Sequence, residues 1–303
     1  MPFIFNYIDN FLYKYYTFIA SFSYFKIFNE LKMITYKVIF GSIIKINREQ
    51  AEWLVEDYLS ALLHNGQVCG EYYLIVQNGL LCTYVNLQGL DANLKKYHCK
   101  YGIERLKRIT ELFECEPLWE SIDDDVPEKN TDWQNTTFLY LYTHMNDWQS
   151  PVCRGDNGHP IPIFLLPGEH QRREEIFFWQ QEYKTYDQAW MQSGALEKIA
   201  YKQLATPDSE LAKAGQKICK YIEDVTDIPT YYYVMRYWGR KKNEDARLCP
   251  ACGQKWSTGA DVEVSTFYNF AFKCDPCRLV SHLATSYEDE RHAIIGEWRP
   301  SKS

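Results

Sequence analysis

Two cysteine pairs carry the clearest chemistry in the chain, Cys249-Pro-Ala-Cys252 and Cys274-Asp-Pro-Cys277. A Cys-x-x-Cys turn sets two thiolates on one side of a tight bend, and two such turns supply a closed tetrahedral shell for a soft ion. The 21 residues between the pairs suffice for a β-hairpin that returns the second turn to the first. This is zinc-ribbon spacing, with Zn²⁺ the expected cofactor and Cys249, Cys252, Cys274 and Cys277 the expected ligands. An iron site of rubredoxin type, two disulfides or chance are the competing readings; four-thiolate sets suit zinc first and iron second. A closed four-sulfur shell leaves no open coordination position, which argues against zinc catalysis.

A second constellation precedes the first cysteine. Residues 230–238 read TYYYVMRYW. In a strand, Tyr231, Tyr233, Met235 and Tyr237 share one face, and Tyr232, Val234, Arg236 and Trp238 the other. Between Arg236 and Lys255 stand six basic residues against Glu244 and Asp245, a local charge of +4 in a chain whose net charge is −7. Cations that engage phosphates and aromatic faces that stack on bases are the recipe for single-stranded nucleic acid. The expected contacts are Arg236, Arg240, Lys241, Lys242, Lys255, Trp256, Lys273 and Arg278. Lys255-Trp256 follows the first cysteine turn, Arg278 follows the second, and Lys273 alternates with Tyr268, Phe270 and Phe272, whose aromatic side would cover the metal. In the competing reading the aromatic strand packs on helices, the Lys-Arg run is a solvated linker, and the remaining cations only offset the charge of the thiolates. The acidic balance weighs against a general polyanion binder.

These segments resemble a bacterial family of Zn-ribbon-containing proteins. The resemblance lies in CPACGQKW, FKCDPCRLVS, PTYYYVMRYWG, NGQVCGEY and PIPIFLLPG, and it runs from about Met33 to Leu283. It implies the same four cysteine ligands and suggests nucleic acid as the partner class. Relatives can carry extra cysteines in the loop that holds only Cys153 here, so no second metal site is expected.

Other chemistry finds little support. There is no Walker-type phosphate loop and no G-x-S-x-G elbow. His64, His98, His144, His159, His170, His282 and His292 are dispersed, outside any H-E-x-x-H or deaminase pattern. His144, Cys153 and His159 flank one loop and form the one candidate thiol–imidazole set; an ordinary cysteine and satisfied loop histidines are the plainer reading. The expected function is therefore a zinc-ribbon protein that binds nucleic acid through the ribbon and the adjacent strand. The alternative is a structural zinc module for protein–protein interaction, in which the acidic remainder docks a basic partner.

The elements that must position these groups follow from periodicity. Residues 34–46 are β-branched and apolar and read as a buried strand. Asn47 to Gln50 fits a capping box for a helix carrying Leu54, Tyr58 and Leu62. Strands 71–76 and 80–87 flank Asn78-Gly79, a tight-turn pair. A helix over 99–113 presents Ile103, Leu106, Ile109 and Phe113, and a closing strand falls within 115–122. The order βαββαβ is that of a ferredoxin-like split sheet. Beyond it, residues 137–143 read as a strand and 160–167 as an edge strand or extended segment, because its prolines lack amides to donate. A helix over 169–192 carries Ile176, Trp179, Tyr183, Tyr186 and Trp190. Another starts at Thr206-Pro207-Asp208 and buries Leu211, Ala214, Ile218, Ile222 and Val225.

The fold class is thus α+β: a ferredoxin-like N-terminal unit (33–125), a mixed helical middle region with the Tyr-rich strand (126–246), a C-terminal zinc ribbon (247–283) and a tail (284–303). Asp123, Asp124 and Asp125 open a linker. Residues 1–32 are foreign in composition, twelve of them Phe or Tyr. They read either as an extension from a start placed upstream of Met33 or as a membrane-surface or partner-docking segment. No run is long and apolar enough to span a bilayer, and no membrane partner is expected. Six scattered cysteines, Cys69, Cys82, Cys99, Cys115, Cys153 and Cys219, suggest a reducing, cytoplasmic setting.

Overall fold

The computed structural model describes residues 33–123, 132–259 and 267–300. The expectations for residues 1–32 and for most of the acidic linker lie outside them. β1 (Ile34–Ser42) alternates strictly: Ile34, Tyr36, Val38 and Phe40 point inward and the residues between them are half-buried. It is a strand with one covered face rather than one buried on both. α1 (Arg48–His64) starts at Asn47, whose side chain accepts from the Gln50 amide at 3.0 Å, the forward half of the expected capping box. β2 (Val68–Cys69) and β3 (Ile75–Gln77) form a broken second strand. β3 joins β4 (Leu80–Leu87) through Asn78 (φ 51°) and Gly79 (φ 76°), the left-handed pair that a two-residue hairpin turn needs.

α2 (Lys100–Phe113) is capped by the Cys99 sulfur, which accepts from Gly102 N–H. Its buried side is Gly102, Leu106 and Ile109. Ile103, expected on that side, is 55% exposed, because the buried stripe runs one position earlier and Gly102 lies against His98. β5 (Leu118–Ser121) closes the sheet. The strand order is β2-β4-β1-β5, with β3 also on β4 and every pair antiparallel. The elements therefore run βαββαβ with β4 between β1 and the broken second strand.

The second half is built around a mixed sheet in the order β7-β6-β8-β10-β9. Its strands are β6 (Leu139–Leu141), β7 (Val152–Arg154), β8 (Thr230–Tyr233), β9 (Phe272–Cys274) and β10 (Leu279–Ser281). β6, β8 and β10 are parallel, and β7 and β9 are antiparallel edges. α3 (His170–Gln192), α4 (Glu197–Ala205) and α5 (Glu210–Thr226) supply the helical layer. The aromatic stripe of α3 is core, as its period implies: Ile176, Trp179, Tyr183 and Trp190 are buried.

Three local expectations are corrected here. α4 lies where no helix was expected. Thr206 then ends α4, and the next helix begins at Ser209, whose Oγ accepts from Ala212 N–H at 3.1 Å. Of the two readings of the proline-rich segment, the edge strand fails: after one bridge from Pro160 to Cys153 it turns through a short 3-10 helix, Ile163–Leu165. Ile161, Ile163, Phe164 and Leu166 are buried, and Phe164 enters the core of the N-terminal unit. Gly66 (φ 72°) admits this crossing; a Cβ there would lie 2.7 Å from Ile163 Cβ.

Candidate metal centre

The first cysteine turn is closed by Cys249 N–H to the Gln254 carbonyl at 2.8 Å and Gly253 N–H to the Cys249 carbonyl at 2.9 Å. Gly253, next after Cys252, has φ 72°, and Arg278, next after Cys277, has φ 50°. Both turns therefore use the same left-handed step after their second cysteine. Chain following the first turn runs beside β9: Lys273 N–H donates to the Trp256 carbonyl at 2.8 Å and Thr258 N–H to the Ala271 carbonyl at 2.9 Å. β10 flanks β9 on its other side, with Leu279 opposite Cys274. The expected return of the second turn to the first is thus carried out by backbone pairing.

The result is a cluster of four sulfurs that all lie within 4.8 Å of one another. Cys252 Sγ and Cys274 Sγ are 3.8 Å apart. A disulfide would hold them at about 2.0 Å; the edge of a tetrahedron with ~2.3 Å zinc–sulfur bonds is about 3.8 Å. All four are free thiols, Cys249 and Cys274 buried and Cys252 exposed. Their acidities diverge because burial and hydrogen bonds among the thiols act unequally on them, with repulsion between neighbouring sulfurs adding to the rise at Cys274 and Cys277. Burial pushes Cys274 up to about 11 and raises Cys277 as well. At Cys252 burial also acts upward, but hydrogen bonds from the Gln254 amide and the neighbouring thiols lower it overall. A cation among them removes that conflict, so the donor set fits a soft divalent metal.

Residues 133–235 match the family described as Domain of unknown function (DUF2310). Residues 239–287 and 33–123 match two more, Domain of unknown function (DUF8594) and Domain of unknown function (DUF8589). Two proteins of Haemophilus influenzae, each named "Uncharacterized protein", are 33% identical to the chain over 167 residues, 54% of its length. That stretch spans 62% of one relative and 80% of the other. The chain belongs to this bacterial family. No solved structure matches it. Among the described residues no helix is long and apolar enough to cross a membrane.

Of the residues expected to contact nucleic acid, two are corrected by burial. Arg236 is 3% exposed, and its guanidinium is used internally. It pairs with Glu244 at 2.9 and 3.2 Å and with Glu297 at 3.2 Å, and donates to the Ala293 and Ile295 carbonyls. Trp256 is also buried, stacked on Phe272 at 5.1 Å, with its indole N–H on the Arg247 carbonyl. The tyrosines of β8 are likewise inside: the strand is central and every residue in it is buried. α5 covers one side, with Gly215 against Tyr232, and Phe267 and Phe270 cover the other. Both faces therefore follow the packing reading.

Three more cations are engaged. Arg278 forms a two-point pair with Glu223 at 2.9 Å for each bond, Arg240 pairs with Glu297 at 2.6 Å, and Lys273 lies over Phe138 and Tyr231 at 4.3 and 4.7 Å. Lys241, Lys242 and Lys255 remain exposed. Sequence reasoning missed Arg247, which is buried over Trp256 and Phe272 and donates to Ser281 Oγ at 2.6 Å. Its one signal is position, two residues before Cys249. At the other candidate set, the buried Cys153 thiol is raised by burial rather than lowered, opposite to the shift of an activated nucleophile.

Proposed function

We propose that Cys249, Cys252, Cys274 and Cys277 hold one Zn²⁺ as a structural centre, and that the chain is a non-catalytic zinc-ribbon protein that presents an interaction surface. The observation that carries this reading is the convergence of four free sulfurs at tetrahedral spacing. When bound, such an ion supplies folding energy, because a closed shell has no position for water or substrate. The chain contributes the rest: backbone pairing of β9 with β10 and the two left-handed steps pre-set the donors. Elemental analysis of protein purified without added metal tests the reading, with one zinc per chain expected. Iron in place of zinc, or no transition metal at all, overturns it.

Nucleic-acid recognition is a second reading, now narrowed to three lysines. Lys241, Lys242 and Lys255 are exposed, and none forms an ion pair within the described residues. Three phosphate contacts with a single strand give a salt slope of about −2 in log K against log salt. Fluorescence anisotropy with a labelled single-stranded oligonucleotide measures it. Absence of binding at low salt, or binding unchanged when all three become Ala, removes this reading and leaves a protein as the partner.

A further inference from the structure

A cavity of about 290 Å³ lies between the N-terminal unit and the helical half, away from the cysteine cluster. Gln88 lines it from the first side, and Trp148 and Lys184 from the second. Gln88 is 4% exposed, and the orientation of its carboxamide is fixed by bonding. Its Oε1 accepts from the Ser150 amide at 3.1 Å and from the Cys69 thiol at 3.8 Å. Nε2 is then a buried donor with no partner among the described residues. A donor in that position is costly unless something accepts from it.

Lys184 adds a positive charge. Its ammonium donates to the Asp147 carbonyl at 2.8 Å and lies 3.6 Å from the centroid of Trp148. No ion pair closes on it among the described residues, although the Asp147 and Glu71 carboxylates favour its charge through space, and a carbonyl occupies one of its three donor protons. The lining carboxylate, Glu71, is exposed and accepts from the Tyr73 hydroxyl at 2.9 Å, so its charge is met by solvent and a phenol. Phe177 and Ile163 provide apolar wall.

We propose that this cavity is a binding site for a small organic carboxylate. An unmet amide donor and an ammonium with no carboxylate in direct contact call for an anionic acceptor, and the apolar wall calls for a carbon skeleton. The volume sits at the lower end of the ~300–1,000 Å³ range of ligand pockets, and its place between two units is where such pockets concentrate. The ligand is held by Lys184 and Gln88 Nε2 and bridges the two halves.

The test titrates full-length protein with sodium acetate, succinate, benzoate and 2-oxoglutarate, each against sodium chloride at equal ionic strength. Unfolding temperature and tryptophan fluorescence are the readouts. At a tenfold excess over Kd, at least one carboxylate raises the unfolding temperature by about 2–5 °C. Gln88→Glu keeps the acceptor for Ser150 N–H but replaces the free donor with a repelling oxygen, and it weakens binding at least tenfold. Lys184→Met, a second variant with the apolar stem retained, does the same. Zinc content and cooperative unfolding report that each variant is folded. No saturable response to any of the four up to about 20 mM, well past the ~1 mM affinity of a weak site, overturns the proposal. So does a response that both folded variants retain.

Discussion

At the scale of single residues the molecule separates groups that bind from groups that hold. Cys252 is exposed yet sits within the four-sulfur cluster, so Cys252→Ser tests ligation with little change in packing. Bound zinc in this variant is expected to fall well below one per chain by elemental analysis, since a hydroxyl replaces a thiolate donor. Arg236 is a holding group. Arg236→Ala leaves Glu244 buried without its two-point partner, and a loss of about 3–5 kcal/mol is expected in urea unfolding. Lysine is not expected to rescue it, because an ammonium cannot span both carboxylate oxygens and the two carbonyls at once. Asp187 gives a prediction in pH. Burial lifts its carboxyl from 3.8 to about 7, although the Met145 amide donates to it at 2.7 Å. The folded state therefore binds this proton more tightly than the unfolded chain does, so stability from this group declines as pH rises from about 4 to about 7. Asp187→Asn retains an acceptor for Met145 without a charge. Its stability relative to wild type should climb across that window in denaturant midpoints; a flat difference would show that Asp187 ionises in the folded state as readily as in the unfolded chain, so that burial does not raise it.

At the scale of elements, turns and caps carry the precision. Gly253 has φ 72°, and a Cβ there would fall 2.4 Å from Trp298 Cε2. Gly253→Ala should therefore cost about 1–3 kcal/mol, read as a lower unfolding temperature of the zinc-loaded protein. Gly215→Ala is expected to do comparable harm for a different reason: its Cβ would lie 2.3 Å from Tyr232 and wedge α5 off β8. Features with local causes were legible beforehand. Asn47 caps α1 and Asn78-Gly79 turns β3 into β4 because the deciding atoms lie within four residues of one another. Thr206-Pro207 misled because Ser209, three residues on, has the cap geometry and Thr206 is needed to end α4. The proline segment misled because missing amides suit an edge strand and a buried crossing equally well. Only the neighbours Gly66 and Tyr97 distinguish the two.

At the scale of the whole molecule, the cysteine cluster lies at the edge of a sheet whose centre is β8. β10 pairs with β8 in parallel and with β9 in antiparallel fashion, so the second cysteine turn joins two strands of the larger core. Removing metal should therefore loosen one side of that sheet first. Chelation is expected to speed amide exchange in β9 and β10 by at least about tenfold, the effect of ~1.4 kcal/mol of local stability, and to leave β1 and β4 unchanged. Equal acceleration in both sheets would mean that the two halves open as one unit.

Residue types and spacing alone determined the four clustered cysteines, the α+β class, the βαββαβ order and the core stripe of α3, since each rests on near neighbours or on a simple period. Tertiary structure decided which charges face water. Glu297 and Glu223 lie 61 and 55 residues from the arginines they neutralise, so no local charge tally could subtract them. It also decided that both faces of the Tyr-rich strand are covered, because burial of a strand depends on what packs from elsewhere in the chain. The cavity around Gln88 and Lys184 belongs to the same category: its walls come from segments far apart in sequence and exist only once the two halves meet.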